Sequence, residues 1–416
     1  MSGLPYDLVV FWKQNDSGIY GRRSDLLVRE LTRSDRVRST THFDAPLGIE
    51  ALRRMGRSDG TDHHRLVWER TVAANAASAH VRFCRRTFLF EDGPGGSTPD
   101  GGLDERFGDF VDAVLRERGV GDHGPTVFLV YPTNRHLPAL IDRFGPTVVV
   151  ADVVDDNRTW YPAGSAQHRA LTANYEAVLA RSTLALANCS TVADAMSELH
   201  GRVELVPNAC EPPGADAHQP ARERPIELAS LTGPVIGYAG NLSSRIDLGL
   251  VEHVATSRPE WNVVLIGSTH AGRDAQRLAE LANVRLLGPR SYEDAKRYIR
   301  CFDVAIIPHV DDAMTRSMQP LKAYVYASLG VPVVATPIAN LPDLGSAITV
   351  ARGRAAFVRA IERRLARGRR SQSPAARRAL HDNSWPVRAV RVLELIDAAL
   401  DAEAQEAGAV SLTTPP

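Results

Sequence analysis

The chain has 416 residues, which points to two or three domains at roughly 150 residues each. Its 44% hydrophobic and 24% charged residues are those of a globular protein, and 49 Lys+Arg balance 49 Asp+Glu, which excludes a nucleic-acid coat or a strong binder of anionic membranes. Four scattered cysteines (Cys84, Cys189, Cys210, Cys301) without a C-x-x-C pair argue against a disulfide framework or a zinc site, and no metal site is expected.

The first half opens with an apolar strand at 7–12, a turn-like stretch at 13–21, an amphipathic helix at 23–32 and a second strand at 38–43, which together read as a β-α-β unit. Further strands are expected at 87–90, 126–130, 147–153, 183–187 and 203–206, with a helix at 170–180. Residues 91–102, EDGPGGSTPDGG, read as a flexible loop, as does the polar pair His63-His64. Residues 45–123 carry no further recognisable motif. The run at 8–12 is too short for a signal peptide and no apolar run reaches about 18 residues, so a cytoplasmic location is expected. Arg23, Arg29, Arg33, Arg36 and Arg38 form a basic stretch that fits either a peripheral contact with anionic lipid or a solvated helix face.

Residues 211–226, rich in Pro and Ala, read as a linker. It separates a first domain at 1–210 from a second at 227–384. The second restarts the rhythm: strands at 235–239, 262–267, 284–287, 303–307, 331–336 and 347–350, with helices at 248–257, 271–282, 292–301 and 320–329 between them. The strands are continuous apolar runs, the mark of a parallel sheet covered on both faces. Two doubly wound, Rossmann-like α/β domains facing a cleft follow, with ligand at the strand C-termini. A helix at 355–367 comes next, a helix at 385–405 is expected to cross back to the first domain, and 406–416 to be a disordered tail.

Several residues can carry chemistry. In the segment from Ile236 to Asp247 a strand runs into Gly240, then Asn241 and Arg245, then a helix. This suits a phosphate site and equally a tight turn with a surface arginine. Lysine occurs only at Lys13, Lys296 and Lys322. A GC-rich genome gives such a bias, but a lysine kept against it is also a candidate for chemistry. Lys322 lies in the first turn of a helix opened by Pro320, where its charge opposes the helix dipole unless an anion intervenes. In the first domain, Asn15, Asp16, Gly18 and Tyr20 follow a strand and suit sugar contacts or an ordinary loop. His136 follows the strand at 126–130 and suits a functional or a surface role. Asp155 and Asp156 follow another strand and suit acceptor hydroxyls, proton acceptance or a helix N-cap.

The pieces IGYAGNLSSRIDL, WNVVLIGS, NVRLLGPRSYEDAKRYIRCFDVAIIP and PLKAYVYASLGVPVVAT, in that order, resemble the nucleotide-binding domain of retaining, family-4 glycosyltransferases of GT-B architecture. DVVDDNRTWY, LARSTLALANCST and VELVPNACEP extend the resemblance to about residues 124–400. It implies a nucleotide-sugar donor in the second domain and an acceptor in the first. Transfer would be metal-independent and without a cofactor, retaining configuration through front-face attack. Gly240, Arg245 and Lys322 would lie at the diphosphate, with Arg245 in place of a family lysine and Asn241 in place of a family arginine. Gly267 and Arg290 would lie near the nucleobase, and His136, Asp155 and Asp156 on the acceptor side. The acceptor would be a hydroxyl or amine of a small-molecule metabolite or a cell-envelope glycan. The family's ribose-holding glutamate aligns with Val325 and an earlier one with Ser317. Asp311 or Asp312 then holds the ribose, the donor is unusual, or the chain is a non-catalytic homologue serving as a sugar-nucleotide-binding or partner subunit.

Overall fold

The computed structural model describes residues 4–57, 62–91, 105–214, 223–269, 273–368 and 374–413. The loop expected at 91–102, from residue 92 on, and the middle of the linker lie outside them. The described residues form two compact units: Met1–Gly60, His64–Pro207 and Arg388–Pro416 in one, and Asn208–Val387, grouped with Thr61–His63, in the other.

The first unit runs β1 (Tyr6–Phe11), α1 (Arg23–Arg33), β2 (Val37–Gly48), α2 (Ile49–Arg57), α3 (Asp62–Ala76), β3 (Phe83–Phe90), α4 (Glu105–Glu117), β4 (Thr126–Val130), α5 (Leu137–Phe144), β5 (Val148–Val153), α6 (Ala166–Leu179), β6 (Leu184–Ala187), α7 (Ser190–Ser197) and β7 (Val203–Leu205). Its sheet has the order β3-β2-β1-β4-β5-β6-β7, and its strands pair in parallel. β1, β5 and β6 are buried at every residue, as layers of helices on both faces require, and each fully buried Val or Leu contributes roughly 1.5–3 kcal/mol. Two polar exceptions are paired. Asp7 meets Arg38 and accepts from the Ser39 hydroxyl at 2.7 Å. Asp152 on β5 meets Arg23 at the head of α1 at 3.0 Å, both almost wholly buried, and Arg23 also donates to the Val206 carbonyl at 2.7 Å. His63 and His64 belong to α3, not to a loop: the turns that follow them, RLVWERTVAANA, hold good helix formers and no Gly or Pro.

The second unit runs α8 (Ile226–Ala229), β8 (Val235–Ala239), α9 (Leu248–Ser257), β9 (Asn262–Ile266), α10 (Arg273–Ala279), β10 (Val284–Leu286), α11 (Tyr292–Ile299), β11 (Val304–Ile307), α12 (Ala313–Arg316), α13 (Leu321–Ser328), β12 (Val333–Ala335), β13 (Ile348–Val350), α14 (Arg354–Arg367) and α15 (Pro374–Asp382). Its parallel sheet has the order β10-β9-β8-β11-β12-β13, with one apolar cluster on each face. Gly237 on β8 exists for packing: the Phe302 ring fills the space that a Cβ would need.

The last helix, α16 (Trp385–Thr413), starts in the second unit and from Arg388 onward belongs to the first. There Asp397 pairs with Arg36 at 2.8 Å, and Arg391 with Glu204 at 3.1 Å. It continues past residue 405, where a disordered tail is expected, because DAEAQEAGA is rich in Ala and Glu and lacks proline.

Candidate functional site

In each sheet the strand order reverses once, between β1 and β4 in the first unit and between β8 and β11 in the second. Loops leaving neighbouring strand C-termini diverge at such a point and open a crevice.

In the second unit β8 and β9 end in glycines that touch. Gly240 N–H donates to the Ile266 carbonyl at 2.8 Å, and Gly267 N–H to the Gly288 carbonyl at 2.9 Å. A Cβ on Gly267, whose φ is +141°, would overlap the Gly240 carbonyl oxygen and lie 2.6 Å from its carbon. Gly240, with φ +146°, has Tyr238 Oη 3.0 Å and Lys322 Nζ 3.2 Å from the place of a Cβ. Only glycine meets both demands at either position.

Lys322, from the first turn of α13, reaches across this glycine floor. Its ammonium donates to Tyr238 Oη at 3.0 Å and to His309 Nε2 at 3.2 Å, and stands 4.7 Å from the centre of the Tyr238 ring. Tyr238 in turn donates to the Asn241 carbonyl at 3.2 Å; burial pushes its phenol up, so it stays protonated. His309 is 2% exposed. Burial first, then Lys322 and Arg245, hold its imidazole well below the usual histidine range, so Nε2 accepts from Lys322 and Nδ1 carries the proton. The loop after β11 is tied to the loop after β8: Val310 N–H donates to the Arg245 carbonyl at 2.9 Å and Asp247 N–H to that of Pro308 at 2.8 Å. Arg245 Nη1 lies 3.7 Å from Met318 Sδ. The Asn241 side chain accepts from Ser268 Oγ at 2.8 Å.

Gly240, Asn241, Gly267 and Lys322 are thus brought together, with Arg245 on the same loop. Arg290 is engaged elsewhere, with Glu227 at 3.4 Å and the Tyr298 ring at 5.7 Å. Val325 is 8% exposed and packs in the apolar cluster with Ile266, Ile307 and Tyr326, so it offers no acceptor to a ribose. Asp311 pairs with Arg316 at 2.8 Å, and Asp312 caps α12, accepting from Thr315 N–H at 2.8 Å. Both carboxylates named for the ribose therefore have local partners. Sequence reasoning missed Tyr238 and His309, although His309 stands directly after β11.

In the first unit the candidates divide between structural and open roles. Gly18, at φ +77°, donates its N–H to Asp25 at 2.6 Å, and the Arg85 guanidinium fills the place of a Cβ. Asn15 donates to the Ala45 carbonyl at 2.9 Å, and Asp16 pairs with Arg22 at 2.6 Å. Arg22 lies 5.6 Å from the Tyr20 ring. Asp44, beneath this loop, accepts from Ser17 Oγ at 2.6 Å and pairs with Arg70. Burial pushes its carboxyl up to about 6 against the pull of the neighbouring arginines. His136 is buried, with its ring edge-on to Phe107 at 5.5 Å. Asp156 caps the 3-10 turn Asn157–Trp160 and is gripped by Arg158 at 2.8 Å. Asp155 sits in the left-handed region at φ +67° and accepts from Asn188 Nδ2 at 2.9 Å. Beside it Lys13 Nζ donates to Asn157 Oδ1 at 3.0 Å.

Among the described residues no group of three His, Cys, Asp or Glu side chains is placed to hold a metal ion, and no helix is long and apolar enough to cross a membrane.

The fold is that of GT-B glycosyltransferases, two parallel-sheet, Rossmann-like α/β domains, and residues 233–367 match the family described as glycosyl transferases group 1. Over 144 residues the chain is 29% identical to TuaH of Bacillus subtilis, named for a proposed glycosyltransferase role in teichuronic acid biosynthesis; the match covers 34% of this chain and about a third, 35%, of that one. Sucrose-phosphate synthase from Thermosynechococcus elongatus is similar in structure with a TM-score of 0.63 at 16% identity, over 95% of this chain and 100% of that one. Anabaena HepE, in complex with UDP and glucose, gives 0.61 at 15% identity, over 94% and 99%. A UDP-forming trehalose-phosphate synthase from Burkholderia xenovorans, in complex with glucose-6-phosphate, gives 0.59 at 12% identity, over 95% and 100%.

Proposed function

We propose that the chain is a retaining, metal-independent, hexosyltransferase-like enzyme that moves a sugar from a nucleoside diphosphate to a hydroxyl or amine of a carbohydrate or small-molecule acceptor. The observation that carries this reading is the Lys322 ammonium, held by Tyr238 and neutral His309 over the joined backbones of Gly240 and Gly267. A flat backbone floor with no side chain in the way, under a fixed cation, suits a diphosphate, and Arg245 on the same loop adds charge. The leaving group in sugar transfer is that diphosphate, and fixed cations stabilise the charge it develops. Front-face attack asks for no enzyme nucleophile. The enzyme then acts by holding donor and acceptor in register and neutralising the leaving group. The matched family segment contains this whole cluster.

The test is a thermal shift of the full chain against UDP, GDP, dTDP, ADP and CDP, with EDTA and with a divalent metal, followed by turnover with sugars of the stabilising nucleotide. Stabilisation by one nucleotide in EDTA is expected; stabilisation by none overturns the reading. Buried Val325 favours a second reading, a sugar-nucleotide-binding partner subunit without turnover. Donor hydrolysis by the purified chain would exclude it.

A further inference from the structure

At the reversal point of the first sheet the structure presents an ammonium with no counter-ion among the described residues. Lys13 follows β1 and is partly buried. Its one hydrogen-bond acceptor among the described residues is Asn157 Oδ1, its stem lies along Trp12 (Nζ 5.7 Å from the ring centre), and no carboxylate is within ion-pair distance. The carboxylates around it are engaged. Asp152 pairs with Arg23, Asp16 with Arg22, and Asp155 accepts from Asn188. Burial is the main reason the Lys13 ammonium is lowered to about 8, Arg22 works in the same direction, and Asp155, Asp152 and Asp16 only partly oppose it. The other lysines differ. Lys296 is paired with Glu211 at 3.0 Å and Glu293 at 2.8 Å, and Lys322 has the partners described above.

Two neighbouring amides add to this. Asn157 and Asn188 are 5% and 0% exposed. Asn157 spends Oδ1 on Lys13 and Asn188 spends Nδ2 on Asp155, which leaves Asn157 Nδ2 and Asn188 Oδ1 buried without partners among the described residues. A buried polar atom left unpaired is costly, so a ligand that pairs them is favoured. One of these atoms is a donor and the other an acceptor, and a hydroxyl group answers to both.

We infer that Lys13, Asn157 and Asn188 form a second site, which takes a hydroxyl-bearing ligand with an anionic substituent, that is, a sugar carrying a phosphate or a carboxylate. Lys13 neutralises the anion and the amides receive ring hydroxyls. In the proposed transfer this ligand is the acceptor, a role that rests on the glycosyltransferase reading; the binding itself does not.

Only three lysines make the test direct. The full chain is labelled with [13C,15N]lysine, and the Cε–Nζ signals are assigned with Lys→Arg variants. Each is titrated with pH alone and then with inorganic phosphate, glucose 6-phosphate, glucuronate or glucose, without and with saturating UDP, GDP, dTDP, ADP or CDP. Glucose 6-phosphate or glucuronate is expected to raise the Lys13 pKa by about one unit or more, the effect of a new counter-charge, while glucose leaves it unchanged. A response to both phosphates but not to glucuronate assigns the phosphate, and the reverse assigns the carboxylate. A Lys13 signal indifferent to every charged probe, or moved equally by glucose, overturns the site. The Lys322 signal reads the donor separately: if none of UDP, GDP, dTDP, ADP and CDP moves it while Lys13 answers the sugar anions, the donor reading fails and this site stands. Asn157→Asp supplies an internal counter-ion. It should raise the Lys13 pKa without ligand and weaken binding of the charged sugar at least about tenfold, with the melting temperature as the control for folding. Unchanged binding by a folded Asn157→Asp chain would also refute the site.

Discussion

Replacement of Lys322 by methionine keeps most of the side-chain volume and removes the charge. The ammonium is fixed by its hydrogen bonds to Tyr238 Oη and His309 Nε2, so the positive charge it holds over the glycine floor is what a diphosphate meets. Loss of a charge-assisted hydrogen bond costs about 1.5–3 kcal/mol, which raises Kd about 10- to 150-fold. Isothermal titration of both chains with the nucleoside diphosphate that stabilises the native chain most measures it. The variant also carries an internal signature. Lys322 is the second cause, after burial, of the low His309 pKa. A group whose folded pKa is depressed contributes stability that is present above its unfolded pKa, about 6.5, and lost as pH falls. Without Lys322 the depression is smaller, so the melting temperature should fall less between pH 7 and pH 5 than in the native chain. A Kd within twofold of native in a folded variant would refute the assignment of Lys322 to the diphosphate.

Three further outcomes follow from the same geometry. Gly267→Ala forces a Cβ into the Gly240 carbonyl and should abolish nucleotide binding, with a clear drop in melting temperature; binding within threefold of native would show that the two strand ends need not touch. His309→Gln keeps an acceptor for Lys322 and should bind nucleotide within about threefold of native, whereas His309→Phe removes it and should weaken binding about tenfold, both read by the same titration. The Asp44 carboxyl, raised to about 6 by burial, binds a proton on folding. Its favourable contribution is therefore full below an unfolded pKa near 3.9 and is lost as pH rises through 6. Relative to Asp44→Asn, native stability measured by urea unfolding should decline from pH 4.5 to pH 7, and a constant difference would contradict the burial of that charge.

The sequence predicts most where the chain alternates cleanly. β4, β8 and α9 occur at the expected residues 126–130, 235–239 and 248–257, because continuous apolar runs bounded by Gly, Pro or Asp are read by one rule. Within residues 45–123 only the strand expected at 87–90, the end of β3, was legible, and the rest escaped the rule for a physical reason. β2 carries Pro46 and charged residues, and β3, at the sheet edge, buries Arg86 by donating from its guanidinium to the Ala74 and Ala77 carbonyls at 2.7 and 2.8 Å. Charge satisfied by distant backbone looks like solvent exposure in one dimension. The site divides in the same way. Gly240 and Lys322 were legible as a strand-end glycine and a lysine in a first helical turn, and Gly267 only through the family resemblance. Tyr238 and His309 were not, since their meaning lies in hydrogen bonds to Lys322 that span 84 and 13 residues. Asp155 and Asp156 looked alike as neighbours, yet a left-handed backbone at one and a capped turn at the other give them different partners.

The course of α16 sets an order of events during synthesis. Val392, Ile396 and Ala399 are buried parts of the first unit, yet they emerge from the ribosome after all 180 residues of 208–387. At about 5–20 residues per second the first unit waits roughly 10–40 s with the surface that α16 covers open to water. By the end of that interval the second unit is complete in sequence and can fold. The nascent chain therefore passes through a stage in which its earlier-made half is the less finished one. A ribosome stalled at residue 387 would hold that stage still.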